Sequence, residues 1–210
     1  MLMKDIKGVR NSLRGPIIVL IIFITGCGGR KVLSPSEYLK WMNSDKNGMV
    51  VKKEINGLVY EVRSLSPEWM ALNELKQTNP ERSVFDNTRS QYGNMSYFKL
   101  RIYDVKGSHV HNHLKKDGLN PDAVEAYLNY SAQKDIRLIT GEDTIPCALF
   151  AFSKTYGASN EFNIEMAFSN NDSIKEQDRR LEWDDNATGN GLLKFLFASK
   201  DLKQIPQLRL

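Results

Sequence analysis

Hydrophobic residues along this chain recur in two phases. Where they fall three and four residues apart, a capping residue comes first. Ser34-Pro35-Ser36-Glu37 puts serine at the cap, proline at the first helical position and Glu at the third, and Tyr38, Leu39, Trp41 and Met42 follow. Ser66-Pro67-Glu68 precedes Trp69, Met70, Leu72 and Leu75, and Asn120-Pro121-Asp122 precedes Val124, Tyr127 and Leu128. Three helices are expected from these starts. Elsewhere the period is two. Residues 97–105 place Phe98, Leu100 and Ile102 on one face, and residues 162–168 do the same with Phe162, Ile164, Met166 and Phe168. Residues 49–54 and 58–65 flank Ile55-Asn56-Gly57, a hairpin signal because Asn and Gly tolerate positive φ. Residues 136–139, 145–152 and 192–198 complete the strands. Residues 79–94 and 170–180 are polar and patternless and read as surface loops. Many strands, short connections and about three helices argue for an α+β fold, with helices packed on a largely antiparallel sheet.

One apolar run fits neither phase. Residues 1–15 carry Lys4, Lys7, Arg10 and Arg14 against Asp5, and residues 16–25 are then uncharged and almost wholly apolar. A positive start followed by a short apolar core is the pattern of a secretory signal, and the run is too short to span a bilayer, which takes about 20 residues. It ends in Ile24-Thr25-Gly26-Cys27. This tetrad resembles the lipobox of bacterial lipoprotein precursors. The resemblance implies cleavage between Gly26 and Cys27, acylation of the Cys27 thiol, and a mature chain that begins at Cys27. Residues 1–26 would then be removed. Residues 27–33 would form a lipidated cysteine and short tether, and residues 34–210 a single globular domain. Six tether residues reach at most about 20 Å, which holds the domain close to its membrane.

That reading changes the meaning of the charge. The chain has 29 Lys and Arg, 25 Asp and Glu, and a net charge of +4. The first 26 residues hold four of the bases and one of the acids, which leaves 25 bases against 24 acids. The basic excess belongs to the signal, so no nucleic-acid partner is inferred. Tyr97, Lys99, Arg101 and Tyr103 alternate basic and aromatic residues, which reads as the solvated face of a strand. With Cys27 acylated, Cys147 is the one remaining cysteine. It sits in the apolar run of residues 145–152 with no base nearby, as a small core residue rather than a nucleophile.

Three segments offer candidate chemistry. His109-Val110-His111-Asn112-His113 holds all three histidines. It reads as a solvated polar loop. The alternative is an extended segment that turns three imidazoles to one side, a zinc-type ligand set with an open fourth position. Asp184, Asn186, Thr188 and Gly189 follow the first half of a calcium loop, but Phe195 stands where its closing Glu is required, so a tight turn is expected between two strands. Asn94-Met95-Ser96, Asn129-Tyr130-Ser131 and Asn186-Ala187-Thr188 are glycosylation sequons, discounted in a chain with a bacterial lipobox. No nucleophile elbow, phosphate loop or dinucleotide fingerprint is present in the sequence.

Ser34-Pro35-Ser36-Glu37-Tyr38, Gly189-Asn190-Gly191-Leu192-Leu193-Lys194-Phe195 and Ile205-Pro206-Gln207-Leu208 resemble segments of small uncharacterised Gram-negative envelope lipoproteins. This likeness implies no activity. The leading expectation is a non-enzymatic accessory or binding module, anchored to the bilayer through the Cys27 acyl chains and in contact with other envelope proteins. No cofactor is expected beyond the covalent lipid. Gly28 stands where an aspartate would resemble an inner-membrane retention signal, so the outer membrane is the expected location. Two alternatives are a metal-binding protein or envelope metalloenzyme built on His109, His111 and His113, and a carrier of a small apolar ligand in a hollow core.

Overall fold

The computed structural model describes residues 30–77, 79–153, 159–170 and 177–210, so Gly26 and Cys27 lie outside the described residues. The chain is α+β, and its two larger sheets are antiparallel. Strands β2 (Val50–Ile55), β3 (Leu58–Leu65), β4 (Met95–Asp104), β7 (Leu149–Ser153) and β8 (Phe162–Ser169) form one sheet in the order β2-β3-β4-β8-β7. Strands β5 (Ile136–Thr140), β6 (Asp143–Pro146), β9 (Arg179–Asp185) and β10 (Gly191–Phe197) form the second, ordered β10-β9-β5-β6. The expected Asn-Gly hairpin joins β2 to β3, with Asn56 at φ 51° and Gly57 at φ 80°.

Alternation drives the packing. In β4 every second residue is buried, and Phe98, Leu100 and Ile102 share a core with Tyr60, Ile164, Trp183 and Phe195. Rings meet across the sheets: Phe98 and Phe197 have centroids 5.3 Å apart, and Tyr60 meets Trp183 edge-on at 6.1 Å. The space between the sheets is therefore filled with aromatic and aliphatic side chains at the density a folded interior requires. Lys99 and Arg101 lie on the opposite face of β4, as their phase demands. There Arg101 Nη2 bonds Glu161 at 2.6 Å and its guanidinium lies 5.3 Å from the Tyr103 ring centre.

Six helices occur among the described residues rather than about three. Helices α1 (Pro35–Met42), α2 (Pro67–Leu75) and α5 (Pro121–Tyr130) start where the capping signals stand. In α1, Glu37 reaches back to accept from the Ser34 hydroxyl at 2.6 Å and the Ser34 amide at 3.0 Å, which together hold its carboxyl below the usual carboxylate range. The additional helices are α3 (Arg82–Gln91), α4 (Val110–Lys116) and α6 (Ser199–Leu202). Helix α3 replaces most of the loop expected at 79–94. It buries only Phe85 and Thr88, too narrow a stripe to show as a period, and it folds because Phe85 enters a second core with Tyr38, Met42, Met49, Ala71 and Leu72. Helices α4 and α5 instead add Val110, Leu114, Val124 and Leu128 to the core between the sheets.

Two further departures have local causes. Residues 145–152 form two strands rather than one. Pro146 has no amide hydrogen to continue a ladder, and the chain leaves β6 in one sheet and enters β7 in the other through Cys147 and Ala148. Val32 and Leu33, placed in the tether by sequence, form strand β1 (Val32–Leu33). It pairs in parallel with β11 (Gln207–Leu208). Arg30 Nε donates to the Lys203 carbonyl at 3.1 Å, so Arg30 is already tied to the folded body.

Candidate functional site

The inner faces of the sandwich turn polar at both ends. At one end β4 closes with buried Asp104 and β9 with buried Asp185. At the other lie Ser64 and Ser96, each one residue in from the ends of β3 and β4, with Thr140 at the end of β5 and Arg179 at the start of β9. All four share the phase of the core residues on their own strands. The acidic end holds the histidines and the opposite end holds a cleft.

The histidine segment is helical from Val110, so positions two apart do not share a face and the three imidazoles take different partners. His109 is the N-cap of α4, and its Nδ1 accepts from the His111 amide at 3.2 Å. His111 Nε2 lies 2.6 Å from Glu125 Oε1 on α5. His113 Nδ1 lies 2.7 Å from Asp104 Oδ2, and its Nε2 is 3.2 Å from Asp117 Oδ2 without hydrogen-bonding geometry. The contact with His113 holds the Asp104 carboxyl below its ordinary range. Among the described residues, no group of three or more His, Cys, Asp or Glu side chains is arranged to hold a metal ion. The segment is thus a structural hinge of α4 on β4 and α5, neither a solvated loop nor a convergent triad. The calcium-like segment is the expected turn: it joins β9 to β10, and Asp185 Oδ1 accepts from the amides of Ala187 and Thr188 at 3.0 Å each.

The cleft at the opposite end has a volume of about 580 Å³. It is walled by the end of β3, the starts of α2 and β4, one face of α3, the start of β9 and the C-terminal segment. Its basic groups are Arg30, Arg82, Arg89, Arg179 and Lys203, and its acidic side chains are Glu68 and Asp86. Arg89 Nε is 2.6 Å from Glu68 Oε1, and Arg82 Nε is 3.6 Å from Asp86 Oδ2, so both acids are matched. Arg179 differs from these. Its Nε is buried with no hydrogen-bond partner, and no ion pair to it occurs among the described residues. Burial pushes its guanidinium below the ordinary arginine range. The apolar part of the cleft comes from Phe85, Leu202, Ile205 and Leu208.

A second depression of about 390 Å³ lies on the outer face of the five-stranded sheet, beside edge strand β7, lined by Trp69, Met70, Tyr97 and Leu149. Neither depression is signalled by a local motif, because each is assembled from distant segments. Arg179 alone left a trace. It falls in the same two-residue phase as Leu181 and Trp183, and a basic residue at a core-facing position is a sign of an unusual site.

Three comparisons bear on kinship: no family model, no curated protein and no solved structure matches the chain. Among the described residues no helix is long and apolar enough to cross a membrane.

Proposed function

We propose that this chain is a lipid-anchored binding module of the bacterial cell envelope, non-enzymatic, held at the outer membrane by acyl chains on Cys27 and working in contact with other envelope proteins. The observation that carries the reading is the lipobox at Ile24–Cys27, set behind a basic start and an apolar run. The fold supports it from the other side. Arg30, the first described residue, is already bonded to the folded body, and the three residues from Cys27 to Arg30 span at most about 10 Å. A module tied that closely samples only the bilayer surface and its immediate neighbours. One acyl chain anchors a protein marginally, whereas the two or three chains typical of the family it resembles anchor it firmly. For the carrier reading, the cleft of about 580 Å³ offers a place for a small ligand.

The test is metabolic labelling with radioactive palmitate. The natural chain is expected to take up label and to run as a cleaved form, and Cys27→Ser to lose the label and accumulate as precursor. Label retained by Cys27→Ser overturns the anchoring reading. Crosslinking in the native envelope is expected to trap specific protein neighbours that disappear in the same variant.

A further inference from the structure

We propose that the cleft between α2, α3 and the C-terminal segment binds a phosphate-bearing amphiphile, whose phosphate sits on the Arg179 guanidinium and whose apolar body lies along Phe85, Leu202 and Ile205. This goes beyond the anchoring reading and stands whether or not Cys27 is acylated.

The argument rests on an imbalance of charge in a shaped cavity. A guanidinium keeps its proton under all ordinary conditions. A buried charge is costly unless an opposite charge and hydrogen bonds compensate for it. Arg89 and Arg82 each pair with a carboxylate, whereas half-buried Arg179 has none among the described residues, and its buried Nε lacks even a neutral acceptor there. Nothing in the packing forces an arginine into that position, since the next two core-facing positions on the strand are Leu181 and Trp183. An anion from outside the chain supplies the missing partner. Arg30 and Lys203 add two further positive groups at the cleft, and among the described side chains that line it five bases face two acids. A phosphate, with more than one negative charge near neutral pH and several acceptor oxygens, matches that excess better than a single carboxylate, and guanidinium groups bind it in forked geometry. The apolar walls match an ester carrying hydrocarbon rather than a bare ion. At about 580 Å³ the cleft has the size of a small-molecule site.

The same imbalance separates a ligand site from a structural arginine. An arginine kept for binding destabilises the empty protein, and its apolar replacement does not. The experiment is a thermal-shift titration of the full chain in non-ionic detergent with three probes: inorganic phosphate, dihexanoyl phosphatidic acid and dihexanoyl phosphatidylcholine. Phosphatidic acid is expected to raise Tm by several degrees, with phosphatidylcholine at least tenfold weaker in apparent affinity. Inorganic phosphate is expected to be much weaker than phosphatidic acid; a match between the two would mean that the site takes free phosphate and would overturn the amphiphile. Arg179→Met is expected to lose the shift while its ligand-free Tm equals or exceeds that of the natural chain. Arg30→Gln combined with Lys203→Ala leaves the core untouched and is expected to weaken binding at least threefold. The proposal is overturned by equal responses to both lipids, by no response to any probe, or by a full shift in Arg179→Met. A large fall in the ligand-free Tm of Arg179→Met, or unchanged affinity in the double variant, overturns it as well.

Discussion

Asp104 Oδ2 lies 2.7 Å from His113 Nδ1, and the other oxygen of the same carboxylate accepts from the amides of Lys106 and Ser108 at 2.8 and 3.3 Å. One carboxylate therefore ends β4, shapes the turn that follows and fixes helix α4 against the sheet. His113 is the first cause of the depressed Asp104 pKa. A carboxyl depressed on folding contributes stability that is complete above its unfolded pKa, near 4, and is lost as pH falls through the folded value. Asp104→Asn is thus expected to lower the urea midpoint at pH 7. The difference from the natural chain should narrow steadily below pH 4, and urea melts across pH 2–7 measure it. A constant difference across that range refutes the assignment.

Gly57 presses on the same histidine. A methyl group built on it would come within 3.0 Å of His113 Cε1, and the backbone there has φ +80°. Left-handed geometry costs a residue with a side chain about 1–2 kcal/mol, before any displacement of His113 is counted. Gly57→Ala should therefore destabilise the protein by at least that amount. Combining it with His113→Ala should recover the steric part but not the backbone part, which chemical denaturation of the three variants resolves.

Cys147 is buried, its thiol pKa is pushed up to about 11 by that burial, and Sγ donates to the Leu149 carbonyl at 3.1 Å. At pH 8 only about one molecule in a thousand would carry the reactive thiolate. Ellman's reagent should label the folded protein at least a hundredfold more slowly than the protein in urea. The unfolded count also reports on Cys27: one thiol per chain is expected for the membrane-extracted mature protein, and two if Cys27 is free.

How much of this architecture could be read from residues alone depended on whether the signal was local. Helices α1, α2 and α5 were legible because cap, proline and apolar stripe stand within one turn of each other. The alternation in β4 and β8 was legible because their sheet buries one face against the shared core. Helix α3 was not, since its stability comes from Phe85 entering a core formed by residues more than ten positions away. Helix α4 was hidden because its N-cap is a histidine, which gives no capping signal in sequence. The break at Pro146 was visible as a residue, but the change of sheet it permits depends on where the partner strands lie. Of the cleft only Arg179 left a sign, as a base in core-facing phase; the rest joins β3, α3, β9 and the C-terminal segment, which only the fold brings together.

The turn between β9 and β10 is tied to the opposite sheet by the Tyr60 hydroxyl and by Asn56 Nδ2, which donates to Asn190 Oδ1 at 2.7 Å. Tyr60 Oη donates to Asp185 Oδ2 at 2.8 Å, lies 2.7 Å from Thr188 Oγ1 and accepts from Asn190 Nδ2 at 2.8 Å. Thr188 Oγ1 also donates to Asp185 Oδ2. Burial raises the Tyr60 pKa, so it remains a phenol throughout the physiological range. Tyr60→Phe keeps the ring against Trp183 and leaves Asp185 with its threonine and amide donors, so the cost should be that of one buried hydrogen bond to a charged group, about 1.5–3 kcal/mol. Asp185→Ala removes the acceptor for two amides and for Tyr60 together, and should cost more than Tyr60→Phe. Because both changes touch one network, they are not additive, and the double variant should fall short of the sum by about 0.5–3 kcal/mol. Urea denaturation of the four proteins closes the cycle. Strict additivity would mean that the hydroxyl and the carboxylate act independently.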